Sequence, residues 1–168
     1  MAKVQLLGDK ADGYQLTVDG EPFFIKGAGL EFGHLKSLAE AGGNAFRTWR
    51  VANGERDAID IPDEAEALGL KVCMGLDSAR ERHGFDYYDQ EAVIAQNEAM
   101  MLDVIRLKDH PALLMWGLGN ELNLRANNDG VWDAMEDLAV RIKQVDPDHP
   151  VTTMLAGVDE PTVTAIAQ

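Results

Sequence analysis

An apolar run enclosed between chain breakers, residues 112–116, is the feature that most constrains the fold of this chain. A His-Pro pair precedes the run, and Gly117 and Gly119 follow it. An amide and a carboxylate then stand side by side, as Asn120 and Glu121. Such a run is typical of a β-strand buried on both faces of a parallel sheet. Because functional residues gather at the carboxyl ends of such strands, Asn120 and Glu121 are predicted to lie at a site.

Apolar runs and amphipathic segments alternate along the rest of the chain. Strands are predicted at residues 23–29, 44–49, 71–76, 112–116 and 150–154. Helices are predicted at residues 33–41, 60–69, 90–108, 131–145 and 161–167. Asp60 and Asp89 are placed to cap two of these helices. Asp19-Gly20, between two apolar runs, indicates a β-hairpin before the first of these strands.

Alternation of strands and helices predicts an α/β fold with a parallel sheet and helices packed outside it. Five such units fit either an open doubly wound sheet or the first five-eighths of a barrel, and periodicity does not separate the two. A complete (β/α)8 barrel has about 250 residues, whereas this chain has 168. Residues 1–168 are predicted to form a single domain. Strand order along the sheet distinguishes the two architectures.

The segment 109–121 resembles the fourth-strand motif of clan A glycoside hydrolases, most closely that of the family 2 barrel domain. The family pattern is roughly His-Pro, four or five apolar residues, Trp, a small residue, any residue and Gly-Asn-Glu, and every part of it is present here. The resemblance covers about residues 16–160. It implies a partial TIM barrel of about five βα units, preceded by a short β-hairpin.

The resemblance also assigns roles to three residues. Glu121 would be the acid/base of a retaining β-glycosidase, and Asn120 would bind the sugar 2-hydroxyl. Arg47, in the sequence Gly-Asn-Ala-Phe-Arg-Thr, matches a family arginine that supports the nucleophile carboxylate. The alternative readings are a surface or helix-capping Glu121, a turn amide at Asn120, and a salt bridge within the sheet end at Arg47.

Three more side chains are candidates for substrate contact. Trp49 and Trp116 could pack an indole face on a pyranose ring, although core packing is the alternative and is stronger for Trp116. His83 lies in the loop after the third strand, which would hang over the same end of the sheet. The alternative for His83 is a solvated loop histidine.

The nucleophile of the resembled family is a second glutamate at the end of strand 7, and nothing in this chain corresponds to it. Glu31, Asp77 and Glu160 stand near strand ends, but none lies in a nucleophile motif. We therefore expect a glycoside hydrolase-like chain that hydrolyses glycosides weakly or not at all. The alternative function is a non-catalytic carbohydrate-binding or assembly module derived from a barrel fragment.

Composition limits the possible partners. The net charge of −14 argues against nucleic acid. No apolar run is long enough for a membrane span, and no signal peptide is visible, which predicts a cytoplasmic protein if the chain is native as given. With Cys73 as the sole cysteine, no internal disulfide can form. No metal-ligand or cofactor motif is present, so neither group is expected. The unpaired sheet edges of a partial barrel predict either a homodimer through those edges or a chain of modest stability.

Overall fold

The computed structural model describes residues 2–31, 33–52 and 54–166. The strands are β1 (Val4–Asp9), β2 (Gly13–Val18), β3 (Glu21–Pro22), β4 (Gly27–Gly29), β5 (Ala45–Arg47), β6 (Lys71–Leu76), β7 (Leu113–Leu118) and β8 (Val151–Thr153). The α-helices are α1 (Leu35–Glu40), α2 (Asp60–Ala67), α3 (Gln90–Leu107), α4 (Gly130–Val145) and α5 (Glu160–Ile166), and Glu81–His83 form a 3-10 turn. Ala167, the last residue of the helix predicted over 161–167, lies outside the described residues.

The strands β4 to β8 form a parallel sheet in the order β4-β5-β6-β7-β8. Neighbours in space are therefore neighbours in sequence, which is the order of a barrel and not of a doubly wound sheet. The partial-barrel prediction is confirmed and the doubly wound alternative is excluded. β7 is buried along nearly its whole length, as its unbroken apolar sequence predicts.

The segment before the barrel strands contains the predicted hairpin, formed by β2 and β3. A further strand, β1, pairs with β2, so the three strands form an antiparallel sheet. Asp19 and Gly20 make the predicted tight turn, with positive φ angles of 53° and 86°. The strand β1 was not predicted because Leu6 and Leu7 both remain exposed, so its sequence lacks a one-sided apolar pattern.

This small sheet covers the amino-terminal end of the barrel strands. Val4 packs in a cluster with Ala2, Ala45 and Leu114. Its backbone N–H donates to the carbonyl of Asp148, just before β8, at 2.8 Å. The carboxyl ends of the strands lie at the opposite end of the sheet, where the site is expected.

The main core lies between the parallel sheet and the helices. The predicted apolar stripes of α3 and α4 face this core, including Val104 and Leu138, which are fully buried. The Asp89 side chain caps α3 by accepting from Ala92 N, as predicted. The cap prediction for α2 is wrong. Asp60 is the first residue of the helix, and its carboxylate accepts from Asp57 N, which organises the preceding turn.

The parallel sheet keeps two unpaired edges and an open inner face within the described residues. β4 and β8 each have one neighbouring strand. A hollow of about 320 Å³ runs along the inner face, lined by residues such as Gly29, Cys73, Met115 and Met154. In a closed barrel, side chains from the facing strands fill this space.

A buried polar network fixes the helix-to-strand connection before β8. Trp116 Nε1 donates to Asp146 Oδ2 at 2.7 Å, and His149 Nδ1 lies 2.8 Å from Asp146 Oδ1. Burial acts to raise the pKa of the Asp146 carboxyl, but the hydrogen bonds from His149 and Trp116 outweigh it. The pKa therefore lies below its ordinary value of 3.8. The ionised form of Asp146 is thus favoured by folding.

The substitution Asp146→Asn is expected to lower the free energy of unfolding at pH 7 by about 1–3 kcal/mol, because charge-assisted bonds to His149 and Trp116 are weakened. Since folding depresses the pKa of Asp146, the contribution of this carboxylate to the free energy of unfolding is complete at pH values above its pKa in the unfolded chain. That contribution is lost as the pH falls through its lower pKa in the folded chain. Urea unfolding from pH 7 to pH 2 measures both effects. The exposed Asp12→Asn is the control, and equal acid sensitivity of wild type and Asp146→Asn would contradict the assignment.

Candidate active site

The carboxyl ends of the parallel strands bring the inner-face side chains into one row. Gly29 pairs in register with Arg47, Arg47 with Cys73, and Cys73 with Met115. The row crosses four strands, and on β7 it lies within the strand, before the loop that carries Asn120 and Glu121. Small residues at Gly29 and Cys73 leave the long Arg47 side chain room to extend along this face.

Arg47 and Asn120 are in direct contact although 73 residues separate them in the chain. Arg47 Nη2 donates to Asn120 Oδ1, and the guanidinium carbon stacks 4.7 Å from the centre of the Trp49 ring. The Nε group of Arg47 is buried and has no hydrogen-bond acceptor among the described residues. Arg47 at the end of β5 and Asn120 after β7 therefore form one polar group. Within it, the Arg47 Nε–H has no acceptor among the described residues.

Glu121 has an unusual backbone conformation. Its φ angle is 54°, in the left-handed region that costs a residue with a side chain about 1–2 kcal/mol. The conformation lets its N–H donate to the Met154 carbonyl, beyond β8, at 2.8 Å. Arg82 Nη1 donates to the Glu121 carbonyl, and Arg82 Nη2 lies 3.7 Å from Oε2 of its carboxylate. The Glu121 side chain is 43% exposed, so it opens to solvent at the rim.

The two candidate sugar platforms lie in different places. Trp49 is partly buried at the rim, where its ring packs against Gly29 and one face carries the Arg47 guanidinium. Trp116 is fully buried in the core between sheet and helices, and its indole N–H binds Asp146. Since neither face of Trp116 is accessible, the core-packing alternative holds for it, and its expected role as a substrate contact is corrected.

The loop after β6 reaches the site through different residues from the one selected by sequence. His83 is exposed in that loop. Its neighbours Arg80 and Arg82 make the contacts, Arg80 through Nε to the Asn120 carbonyl at 3.2 Å. The sequence signal for these contacts was the alternating charge of residues 80–82. These residues lie in a loop above the strand ends, and loops at that end of a barrel converge on one site.

Other reactive groups near the rim are neutralised or buried. Glu31 is paired with Arg50 at 2.6 Å, and Asp77 with Arg80 at 2.9 Å. Burial raises the pKa of the Cys73 thiol to about 12, with a smaller opposing effect from Arg47. The thiol is therefore protonated at neutral pH and is a poor nucleophile.

At the opposite end of the sheet, Asp63, Glu66 and His110 group within 4.8 Å of one another, as metal ligands would. However, His110 Nδ1 accepts from Ala112 N at 3.1 Å, so the proton of the neutral ring sits on Nε2. That Nε2–H faces Asp63 Oδ1 at 3.0 Å. The lone pair that a metal would need is not available, and the contact is a structural hydrogen bond.

Comparison with known proteins gives a consistent family. Residues 42–168 match the profile described as "Glycosyl hydrolases family 2, TIM barrel domain". The β-glucuronidase of Streptococcus agalactiae is 30% identical over 146 residues, covering 79% of this chain and 24% of that protein. The β-glucuronidase of Sus scrofa is 26% identical over 160 residues, covering 82% and 22%. The chain therefore spans about a quarter of the length of these relatives.

A solved structure of Bifidobacterium dentium β-glucuronidase, complexed with coumarin-3-O-glucuronide, superposes with a TM-score of 0.71. The match covers 96% of this chain and 27% of that one, at 18% identity. At this identity the superposition supports the fold alone, which is the barrel order already seen in the strand pairing.

The left-handed backbone of Glu121 leads to a stability prediction. Glu121→Gly is expected to leave the free energy of unfolding unchanged or to raise it by up to about 1 kcal/mol, because glycine adopts positive φ without strain. The matched control is Glu136→Gly, in the exposed face of α4, which should lower it by about 1 kcal/mol. Urea unfolding measures both. A loss at position 121 as large as that at 136 would show that the conformation is not strained.

Proposed function

Because this chain belongs to glycosyl hydrolase family 2, with residues 42–168 in its TIM-barrel domain, we propose that it forms the acid/base half of a retaining β-glycosidase site. Glu121 is the proposed acid/base and Asn120 the proposed ligand of the sugar 2-hydroxyl. Arg47 is the proposed support of the carboxylate that attacks the sugar. The substrate class is a β-linked O-glycoside.

The observation that carries this proposal is the hydrogen bond from Arg47 to Asn120. It joins residues from two separate strands at the open carboxyl end of the sheet. A turn amide that bonds its own backbone would not accept from a guanidinium of another strand. The contact therefore favours a built site over the structural alternatives for Arg47 and Asn120, and Glu121 directly follows Asn120 in the same loop.

The chemistry proposed for Glu121 is proton transfer. In a retaining enzyme the acid/base protonates the leaving oxygen and then activates water, while a second carboxylate about 5–5.5 Å away forms the glycosyl intermediate. Glu121 is exposed enough to reach a bound glycoside from the rim. Its left-handed backbone, with a φ angle of 54°, follows Asn120 directly in the loop after β7.

The second carboxylate is the missing part. The rim acids Glu31 and Asp77 are paired with Arg50 and Arg80, and neither lies in a nucleophile motif. The buried Nε–H of Arg47 is suited to a carboxylate brought from outside the described residues. Without that group the two-step reaction has no nucleophile, and we expect hydrolysis to be weak or absent.

We propose a glucuronide as the first substrate to test. The relatives that match this chain are named β-glucuronidases. Three guanidinium groups, of Arg47, Arg80 and Arg82, surround the Asn120–Glu121 pair. Arg80 is paired with Asp77 and Arg82 lies beside the Glu121 carboxylate, so Arg47, which has no ion-pair partner among the described residues, supplies the positive charge that favours an anionic sugar.

A non-catalytic carbohydrate-binding module is the second candidate. The pairing of Glu31 and Asp77 with arginines favours this module, because Glu121 is then the one carboxylate proposed for chemistry. Binding without turnover distinguishes this module from an active enzyme.

We also propose that the chain forms a homodimer through its sheet edges. β4 and β8 each lack a second neighbour in the described structure, and the inner face between them is largely apolar. Pairing of edge strands with a second copy would satisfy the exposed backbone groups and cover this face.

The catalytic proposal is tested with 4-nitrophenyl β-D-glucuronide and its neutral glucoside analogue. Wild type should bind the glucuronide and turn it over at or near the background rate, with NMR shifts at Asn120 and Arg47. Arg47→Met should abolish binding, and the exposed Arg125→Met should not. Robust wild-type turnover would refute the missing-nucleophile argument, and if such turnover survives Glu121→Gln, the role of Glu121 is refuted.

The dimer proposal is tested by size-exclusion chromatography with light scattering. Wild type should elute at twice the monomer mass. Thr152→Lys, on the exposed edge strand β8, should shift it to the monomer because lysine on an edge opposes strand pairing. Ala11→Lys, in the exposed β1–β2 turn, is the control. A well-folded wild-type monomer would refute the proposal.

A further inference from the structure

Three consecutive residues of the loop after β6 hold both ends of the loop that carries Asn120 and Glu121. We name Arg80, Glu81 and Arg82 the clamp. Arg80 Nε donates to the Asn120 carbonyl at 3.2 Å, and Arg82 donates to the Glu121 carbonyl. At the far end of that loop, Glu81 Oε2 accepts from the backbone N–H of residues 127 and 128, at 2.8 and 3.1 Å.

The clamp is itself anchored to buried parts of the fold. Ala79, just before it, receives a hydrogen bond on its carbonyl from the Tyr87 hydroxyl, at 2.5 Å. Its N–H donates to Gln96 of α3 at 2.7 Å. Tyr87 is 1% exposed, and burial raises its pKa to about 12, so the hydroxyl keeps its proton and remains a donor. The side chains of Arg80 and Arg82 are 17% and 15% exposed, which limits their freedom.

The loop after β7 needs such support. Glu121 occupies the left-handed region, where its side chain is disfavoured, and Arg125 in the same loop does so as well. The Glu121 N–H bond to Met154 provides one restraint from β8. The clamp provides the opposing restraint, from the β6 side. The position of the Glu121 carboxylate thus depends on contacts from both neighbouring strands.

We propose that Arg82 is a positioning residue, which fixes the backbone and carboxylate of Glu121 together through the two nitrogens of its guanidinium. Nη1 binds the carbonyl, and Nη2 faces Oε2 at 3.7 Å. Glu81 holds the far end of the same loop. This inference rests on the proposed function, because it gives Arg82 a purpose in the acid/base role of Glu121. Lysine carries all its donors on one nitrogen, so it lacks the two spaced nitrogens with which Arg82 makes these contacts.

Amide hydrogen exchange on the whole chain, read by NMR, tests the inference. The reporter is the Glu121 amide, and the reference is the Trp116 amide, which donates to the Pro150 carbonyl in the core at 2.9 Å. In Arg82→Met, exchange at Glu121 should accelerate at least about tenfold relative to Trp116, because local opening of the loop becomes easier. Arg82→Lys should behave like Arg82→Met.

The matched control is Arg125→Met, an exposed arginine in the same loop, which should leave the ratio unchanged. Glu81→Ala should accelerate the Asn128 amide in the same way. The inference is overturned if Arg82→Met leaves the ratio at its wild-type value or speeds both amides equally. It is also overturned if Arg82→Lys restores wild-type exchange. Failure of the proposed function would appear separately. Glucuronide binding would then be insensitive to Arg47→Met, while Arg82→Met would still accelerate exchange at the Glu121 amide.

Discussion

The burial of β7 on both faces is the constraint on which the rest of the structure depends. One side of this strand packs into the core between sheet and helices, through Leu113, Trp116 and Leu118. Its other side joins the inner face with Gly117, where a Cβ would meet the Met154 side chain and Cys73 Sγ. Because both faces are occupied, the strand has one possible register, and that register places Asn120 and Glu121 at the carboxyl rim.

The carboxyl rim of the sheet forms the candidate active site because residues from four strand ends meet there. Arg47 from β5 reaches Asn120 after β7, Arg82 from the loop after β6 reaches Glu121, and Met154 after β8 holds the Glu121 amide. Each contact is long-range in sequence, so the site depends on correct parallel pairing across the whole sheet. The opposite end of the sheet carries structural contacts, such as that of His110 with Asp63.

Sequence reasoning predicted the apolar helix stripes and the Asp89 cap from periodic and local signals, and it predicted the barrel order from the family resemblance, because periodicity did not separate the two architectures. It failed where a contact partner, and not a local pattern, decides the outcome. The strand β1 forms by pairing with β2 although Leu6 and Leu7 stay exposed. Asp60 has cap chemistry, but its carboxylate turns back to Asp57 N.

The same distinction applies to the site residues. Arg47 and Asn120 lie at the carboxyl ends of β5 and β7, on either side of β6, and a barrel topology predicts that such strand ends converge on one site. The choice of His83 over Arg80 and Arg82 could not be made correctly from sequence, since the direction of a loop side chain depends on the loop's anchors, here Tyr87 and Gln96. The aromatic ring of Trp116 is of the kind that packs against sugars, but its indole N–H donates to Asp146 and the ring lies in the core.

The buried Nε–H of Arg47, which lacks an acceptor among the described residues, has a thermodynamic consequence. A desolvated donor without a partner destabilises the state that contains it by about 1–3 kcal/mol. Any carboxylate or carbonyl that arrives at this nitrogen recovers that energy, in addition to its own contacts. A ligand that brings such an oxygen therefore stabilises the folded chain at the same time as it binds.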